Sequence, residues 1–410
     1  MIIENLKVYK VLFLIILVAS AIGCSPDKQL KSGLPSIDVR KDYPEKEILL
    51  TDIADITYVH LNSQNYDYVY RGGVKYITEN SIVVVDISSG SVLFFSKDGT
   101  PKSRFNHYGQ GPEEYSSPNF SIVYDEKEDD LYVIDGGFFI NKSHPTRVYS
   151  STGEYKRTLF LPAEPMPLVD FDDHSLFVYD MQNVNNKLYK EESDLSSQLM
   201  DSSIYRISKK NGKVLEYVEF PINTVDIIRS DKFKFINFYE SRIKNCAAGL
   251  FLCLPETDTV FLYGKDKSLT PVICKTPLVS DLNPILVLGG FVDAGDYQYI
   301  TVEPTISDLF EKGFSEELQK SLVNHYIRNK KTDEIFRQKI SLPDYKGKDF
   351  FIESHSTYFT GKETLACFSL DIYELKQAEK ENRLSGKLKE FVSTLNENED
   401  NNVYVLATFN

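Results

Sequence analysis

The groups in this chain that could do chemistry are plentiful, but their spacing does not assemble them into a site. Six histidines, His60, His107, His144, His174, His325 and His355, stand singly. A metal cluster or an acid–base pair would therefore have to be gathered by the fold. No H-E-x-x-H, G-x-S-x-G, P-loop or Rossmann glycine pattern occurs. Cys246, Cys253, Cys274 and Cys367 form no C-x-x-C pair, so a zinc site or a thioredoxin-like motif has no support. Cys246 and Cys253 could face each other across neighbouring strands as a disulfide, or all four thiols could be buried as small hydrophobes. The acidic run Asp125–Asp130, "DEKEDD", lacks the alternating ligands and the glycine of a calcium loop, and reads as a solvated hairpin turn. No tryptophan is present to stack on a sugar ring. The 26 tyrosines could do so, but two-sided sheets also use tyrosine for packing. The chain is thus expected to use no cofactor and no metal ion, and no residue is named as catalytic.

The elements that would position any such groups are short strands in a repeating unit. In Ser81–Phe105, "SIVVVDISSGSVLFFSKDGTPKSRF", an apolar strand is followed by a gap and then by two strands around a tight turn. The unit returns in Asp130–Leu161, where Gly153 aligns with Gly99, and a weaker copy places Gly212 at the same point. Val, Ile, Tyr and Phe crowd the strands, while Asp-Gly, Thr-Gly and Asn-Gly mark hairpin turns. Runs such as "IVVVD" and "LYVID" are continuously apolar, as strands covered on both faces must be. Repeats of this length built from strands imply a radial or stacked β architecture.

Six repeats can be drawn, from about Val74–Phe105, Ser121–Leu161, Asp170–Pro221, Ile243–Pro277 and Gly290–Leu342, with the sixth beginning near Asp349. The third carries a polar insertion at Asn183–Asp201. In the fifth, Leu309, Phe310, Phe314, Leu318 and Leu322 suggest a short amphipathic helix, and Leu370–Leu395 in the sixth also reads as helical. The expected fold is all-β, a six-bladed β-propeller with small helical insertions in blades five and six. Such a ring must close, so Ile56–Leu61 is predicted to share a sheet with Val403–Phe409, removing an exposed edge.

The N-terminus departs from the rest. Lys7 and Lys10 precede an apolar run from Val11 to Ala19, too short to span a bilayer, and small residues lead to Cys24. The sequence "AIGC" resembles the lipobox of bacterial lipoproteins, with Ala21 where leucine is more usual. That resemblance implies cleavage before Cys24 and its linkage to diacylglycerol, the several acyl chains that stable anchoring needs. The expected organisation is a signal peptide at 1–23, a flexible tether at 24–47 and the propeller at 48–410. Removing residues 1–23 leaves 44 basic against 59 acidic residues. This balance repels phosphate backbones and anionic lipid surfaces, so nucleic acid is not an expected partner.

Between the first two repeats lies "FNHYGQGPEEY". With the strand order around it, this segment resembles the six-bladed β-propeller lipoproteins of Bacteroides-like bacteria, which share a likeness with NHL- and TolB-type propellers. Gly109, Gln110, Gly111, Pro112, Glu114 and Tyr115 match the family's signature, and Glu113 stands where glycine is frequent. Gly109 and Gly111 permit positive φ and Pro112 constrains the bend, which fits a tight crossover between blades. The alternative puts Glu114 and His107 at the mouth of the central channel as ligand contacts. Asp258-Thr259-Val260 resembles a short O-glycosylation motif of the same bacteria and also reads as a turn into a strand.

The resemblance implies an exported protein, lipid-anchored at the outer membrane, that binds a protein, peptide or small ligand without catalysis. An envelope enzyme acting on a polysaccharide, as a lyase or hydrolase at the channel mouth, is the competing reading. "SPDKQ" after the cysteine lacks a compact acidic export signature, which favours the periplasmic face. Replacing the lipidated residue by Cys24→Ser is expected to move the protein from the membrane fraction to the soluble fraction and to abolish metabolic palmitate labelling. Retention of label in that variant overturns the lipobox assignment.

Overall fold

The computed structural model of the protein describes residues 33–64, 66–116, 122–134, 145–161, 167–180, 204–220, 242–254, 257–278, 281–282, 286–304, 323–395 and 401–410. Its apolar runs form strands because their side chains alternate between two neighbours that are both dry. In Ser81–Asp86, Ile82 and Val84 enter one apolar cluster while Val83 and Val85 enter the next. The same alternation in every sheet gives six clusters, each filling one gap between adjacent sheets.

The result is a six-bladed propeller of antiparallel sheets. Blade one runs from Gly72 to Phe105, blade two from Ile122 to Phe160 and blade three from Leu168 to Tyr217. Blade four spans Ile243–Thr276 and blade five Leu286–Ser341. Blade six takes Thr357–Phe359, Thr364–Leu370 and Val403–Phe409 from the C-terminal part, and its fourth strand, Ala54–His60, from the N-terminal part. The register runs from Val403 opposite His60 to Phe409 opposite Ala54, so the predicted closure is present. The sixth blade starts later than expected, because Asp349–Phe350 pairs with Ile340–Ser341 of blade five.

The tether expectation fails over its second half. Ser36–Asp38 lies parallel to the outer strand of blade four, and Glu45–Leu49 lies parallel to that of blade five. Each covers an outer edge that would otherwise be open. Ile37 is fully buried between blades four and five, and the Tyr43 ring meets Tyr326 edge-on at 5.6 Å. The segment is polar because one side of it stays wet, and composition alone could not distinguish it from a linker. In blade six two helices, Ile372–Lys380 and Gly386–Ser393, join the second and third strands as expected. The Asp371 carboxylate caps the first by accepting from the Glu374 amide at 3.0 Å. The polar insertion of blade three and the helix expected in blade five lie outside the described residues.

The glycines that align the repeats mark one recurring contact. Gly99 and Gly153 turn the chain from third to fourth strand at φ +89° and +88°, and each meets the end of the preceding blade's outer strand. A Cβ at Gly99 would collide with the His60 carbonyl oxygen, and one at Gly153 would lie 2.6 Å from the Phe105 Cβ. Gly212 takes the same place in blade three. In blades four and five the position is held by Lys267 (φ +67°) and Asp333 (φ +61°), which explains why those repeats look loose in sequence. Gly99→Val is expected to lower unfolding stability by at least about 2 kcal/mol, while Lys267→Gly leaves it unchanged or raises it by up to about 1 kcal/mol. Urea denaturation of both variants checks the contrast.

Candidate functional site

The two ends of the ring differ in how the strands are joined. One end holds the turns between first and second and between third and fourth strands, all of them short. These turns are charged and mutually paired, as in Lys127 with Asp173 (2.7 Å) and Lys331 with Asp296 (2.6 Å). The other end holds the crossovers between blades and the connections from second to third strand. Tyr66, Ile87, Tyr108, Phe351 and Tyr373 all lie in such connections and are exposed, Tyr108 by 61%. Scattered exposed apolar residues are ordinary, but their collection at one end is informative.

A central cavity of about 630 Å³ is associated with this end. The innermost strand of blade one, Gly72–Ile77, lines it along its length. Ile87, Ile122, Val123, Pro167, Leu168 and Val169 continue an apolar wall through blades one to three. Across from them stand Ile243, Lys244 and Asn245 of blade four and Thr357, Tyr358 and Phe359 of blade six. Blade five contributes no strand to the lining. Its innermost strand is covered by the turn Ser354–Ser356, whose Ser354 hydroxyl occupies the space a Cβ on Gly290 would need, and His355 of that turn faces the cavity instead.

Behind His355 the fold brings together side chains that are far apart in sequence. The Glu353 carboxylate has one oxygen 3.5 Å from His355 Nε2 and the other 3.5 Å from His325 Nδ1. The His325 ring packs on Phe351 at 4.7 Å. Burial, assisted by the charge of Glu303, pushes the Glu353 carboxyl up to about 7. Burial, with His355 beside it, pulls His325 down to about 4. His355 is also lowered, by burial and then by the Lys244 ammonium. All three groups are thus driven toward their neutral forms. Beneath them Arg242, almost wholly buried, donates to Glu303 at 2.9 Å and to the Leu288 carbonyl at 2.7 Å. On the opposite side of the channel Lys209 bridges Asp125 (2.6 Å) and Asp170 (2.7 Å), and burial raises Asp170 to about 6.

His325 and His355 are the two histidines that the fold unites, and no spacing along the chain foretold it. His60 ends a strand, His107 packs on Tyr149, His174 sits in an exposed turn, and His144 lies outside the described residues. No group of three or more His, Cys, Asp or Glu among the described residues is placed to hold a metal ion. The four cysteines are free thiols, with Cys253, Cys274 and Cys367 buried. Cys246 pairs with Gly249 in its hairpin rather than with Cys253. The acidic run forms the expected hairpin turn, but its ends are not solvated. Asp125 and Asp130 are buried, and Asp130 meets Lys156 at 2.9 Å and Arg157 at 2.5 Å. Asp258 forms an ion pair with the buried Lys275 ammonium at 2.7 Å, and Thr259 opens a strand.

The signature segment is fastened between blades and lines no part of the cavity. Tyr115 is fully buried and donates to the Gly90 carbonyl at 2.7 Å; the Tyr149 hydroxyl donates to the Glu113 carbonyl at 2.5 Å. His107 Nε2 lies 2.7 Å from the Gly153 carbonyl, and its ring stacks on Tyr149 at 5.0 Å. Glu114 accepts from the Gly111 amide at 2.6 Å. Neither Gly109 nor Gly111 has the positive φ that their type permits. Glycine is needed there for close approach, since a Cβ at either would press on the Glu114 carboxylate.

A family model described as a 6-bladed β-propeller matches residues 27–243. The chain superposes on the crystal structure of a Bacteroides fragilis protein whose name marks it as exported, with TM-score 0.57, 13% identity, and 92% of this chain and 99% of that one covered. A Bacteroides vulgatus member of the DUF4221 family gives TM-score 0.43 and 12% identity over 87% of this chain and 97% of that one. None of the curated proteins matches it.

The position of Glu353 sets a pH dependence. Because folding raises its carboxyl from the ordinary range to about 7, the stability it contributes is complete below the ordinary value and is lost as pH rises through 7. Glu353→Gln stays neutral throughout, and His325 titrates in both proteins. The melting temperature of the variant relative to the parent is therefore expected to rise by about 2 °C or more between about pH 5 and about pH 8.5. An offset independent of pH contradicts the burial assigned to this carboxyl.

Proposed function

From the chain's membership of the DUF5128 family of six-bladed β-propellers, we propose that it is a binding module of the bacterial envelope whose ligand enters the central cavity from the crossover end. Cys24 anchors it through lipid to the outer membrane, on the periplasmic face. The observation that carries this reading is the cavity of about 630 Å³, with a lining part apolar and part polar, beside the end where the exposed Tyr66, Ile87, Tyr108 and Phe351 collect. Cavities of roughly this size, mostly apolar with a few placed polar groups, are what small-molecule and peptide sites look like.

A second reading, an envelope enzyme acting on a polysaccharide, draws on the Glu353–His355 pair, a carboxyl poised near neutrality beside an imidazole that lines the cavity. Glycoside hydrolysis calls for two carboxyl groups flanking the bond. The described lining residues include no carboxylate, which favours binding over hydrolysis.

A photo-crosslinking side chain placed at Tyr108 is expected to capture a defined species in the native envelope, while the same group at Lys331 on the turn end captures none. Equal capture from both positions, or capture from Lys331 alone, overturns the assignment of the binding end.

A further inference from the structure

The charged side chains among the described lining residues have one sign. Lys75 and Lys244 line the wall beside the imidazole of His355, and no Asp or Glu is among them. This occurs in a chain with 60 acidic and 46 basic residues, so the wall runs against the charge of the molecule. The nearby carboxyls stand behind it. Glu353 is turned between two imidazoles, and Asp170 is bridged by Lys209 at 2.7 Å.

Most of the polar groups lie to one side. Lys244, Asn245 and His355 belong to the wall formed by blade four and the approach to blade six; on the facing side Lys75 of blade one interrupts a wall that is otherwise apolar at Ile87, Ile122, Val123, Pro167, Leu168 and Val169. Lys244 is held in place by donating to the Thr357 carbonyl at 3.3 Å and by lying over the Tyr358 ring at 5.7 Å. Asn245 is held by its amide, which donates to the Asp170 carbonyl at 2.8 Å. A half-buried ammonium in such a wall attracts an anion more strongly than one in open water, because the surrounding dielectric is lower.

We propose that the cavity selects a small amphiphile with one anionic head, seating the head on Lys244 and His355 and the apolar body against the wall of blades one to three. This deepens the binding reading above and rests on it. Carboxylate, sulfonate and phosphate heads share the required chemistry, and the apolar body excludes a bare inorganic ion as the preferred occupant.

The test uses two fluorescent probes with the same ring systems, 1-anilinonaphthalene-8-sulfonate and the uncharged N-phenyl-1-naphthylamine, on the full mature chain in the absence of detergent. The sulfonate is expected to bind about tenfold or more tightly than its neutral counterpart. Lys244→Met should remove most of that preference and leave the neutral probe's affinity unchanged, which also shows that the variant is folded. His355→Gln should reduce the preference less, and Lys331→Met on the turn end should alter neither probe. Ile87→Asn should weaken both alike. Decanoate should displace the sulfonate probe at concentrations where decanol does not. Equal affinity of the two probes, or a preference that survives Lys244→Met, overturns the anionic selection while the cavity stands as a binding site. Failure of both probes to bind overturns the cavity reading and this inference with it.

Discussion

Two-sided burial of thin sheets is the constraint on which the rest of this molecule depends. A strand such as Ser81–Asp86 has no solvent face, so Ile82 and Val84 must find one neighbouring blade and Val83 and Val85 the other. Burying each such side chain stabilises by about 1.5–3 kcal/mol, but only if both neighbours are present. A row of blades would leave its first and last members half covered. The ring solves this, and the antiparallel pairing of Ala54–His60 with Val403–Phe409 supplies the sixth gap with its wall. Val59 and Leu406 then join Ile82 and Phe95 in one cluster. Closure is therefore a condition of the core, and the distant ends of the chain fold together because six interfaces need it.

Once the core is satisfied between blades, the ring ends are free to differ. The turn end is tied down by the contacts of Gly99 and Gly153 with the preceding blade and by dense ion pairing. Its connections have little room to vary. The crossover end has no such repeating contact, and it is where the chain places its helices and its exposed aromatic residues. The segment from Gly109 to Tyr115 shows the limit of that freedom. It lies at this end, yet its groups are spent on Gly90, Gly153 and Tyr149, holding blade one to blade two.

The fold was legible in the sequence wherever a repeated physical need produced a repeated residue. Gly99 and Gly153 could be aligned because both must adopt a left-handed backbone against a neighbouring strand. Where Lys267 and Asp333 meet the same need, the signal vanishes although the turn does not. The closing strand was legible from topology alone. The strands at Ser36–Asp38 and Glu45–Leu49 were not, because an added edge strand buries few side chains and its polar residues look like those of a linker. The cluster of His325, Glu353 and His355 was invisible for another reason. Its members come from the third strand of blade five and from the turn beyond it, and only the angle between blades brings them together.

The same geometry decides how the cavity acquires its charge. If all six innermost strands lined the channel equally, the wall would sample the acidic average of the chain. Instead the turn Ser354–Ser356 screens blade five, and the side chain it offers to the cavity is an imidazole. Glu353, its neighbour in sequence, is turned to the other side of that turn, where burial favours its neutral form. A single tight turn thus separates the acid from the base, putting one in the wall and one behind it. Lys244 stands on the same wall as that imidazole, and no Asp or Glu is among the described residues that line the cavity with them.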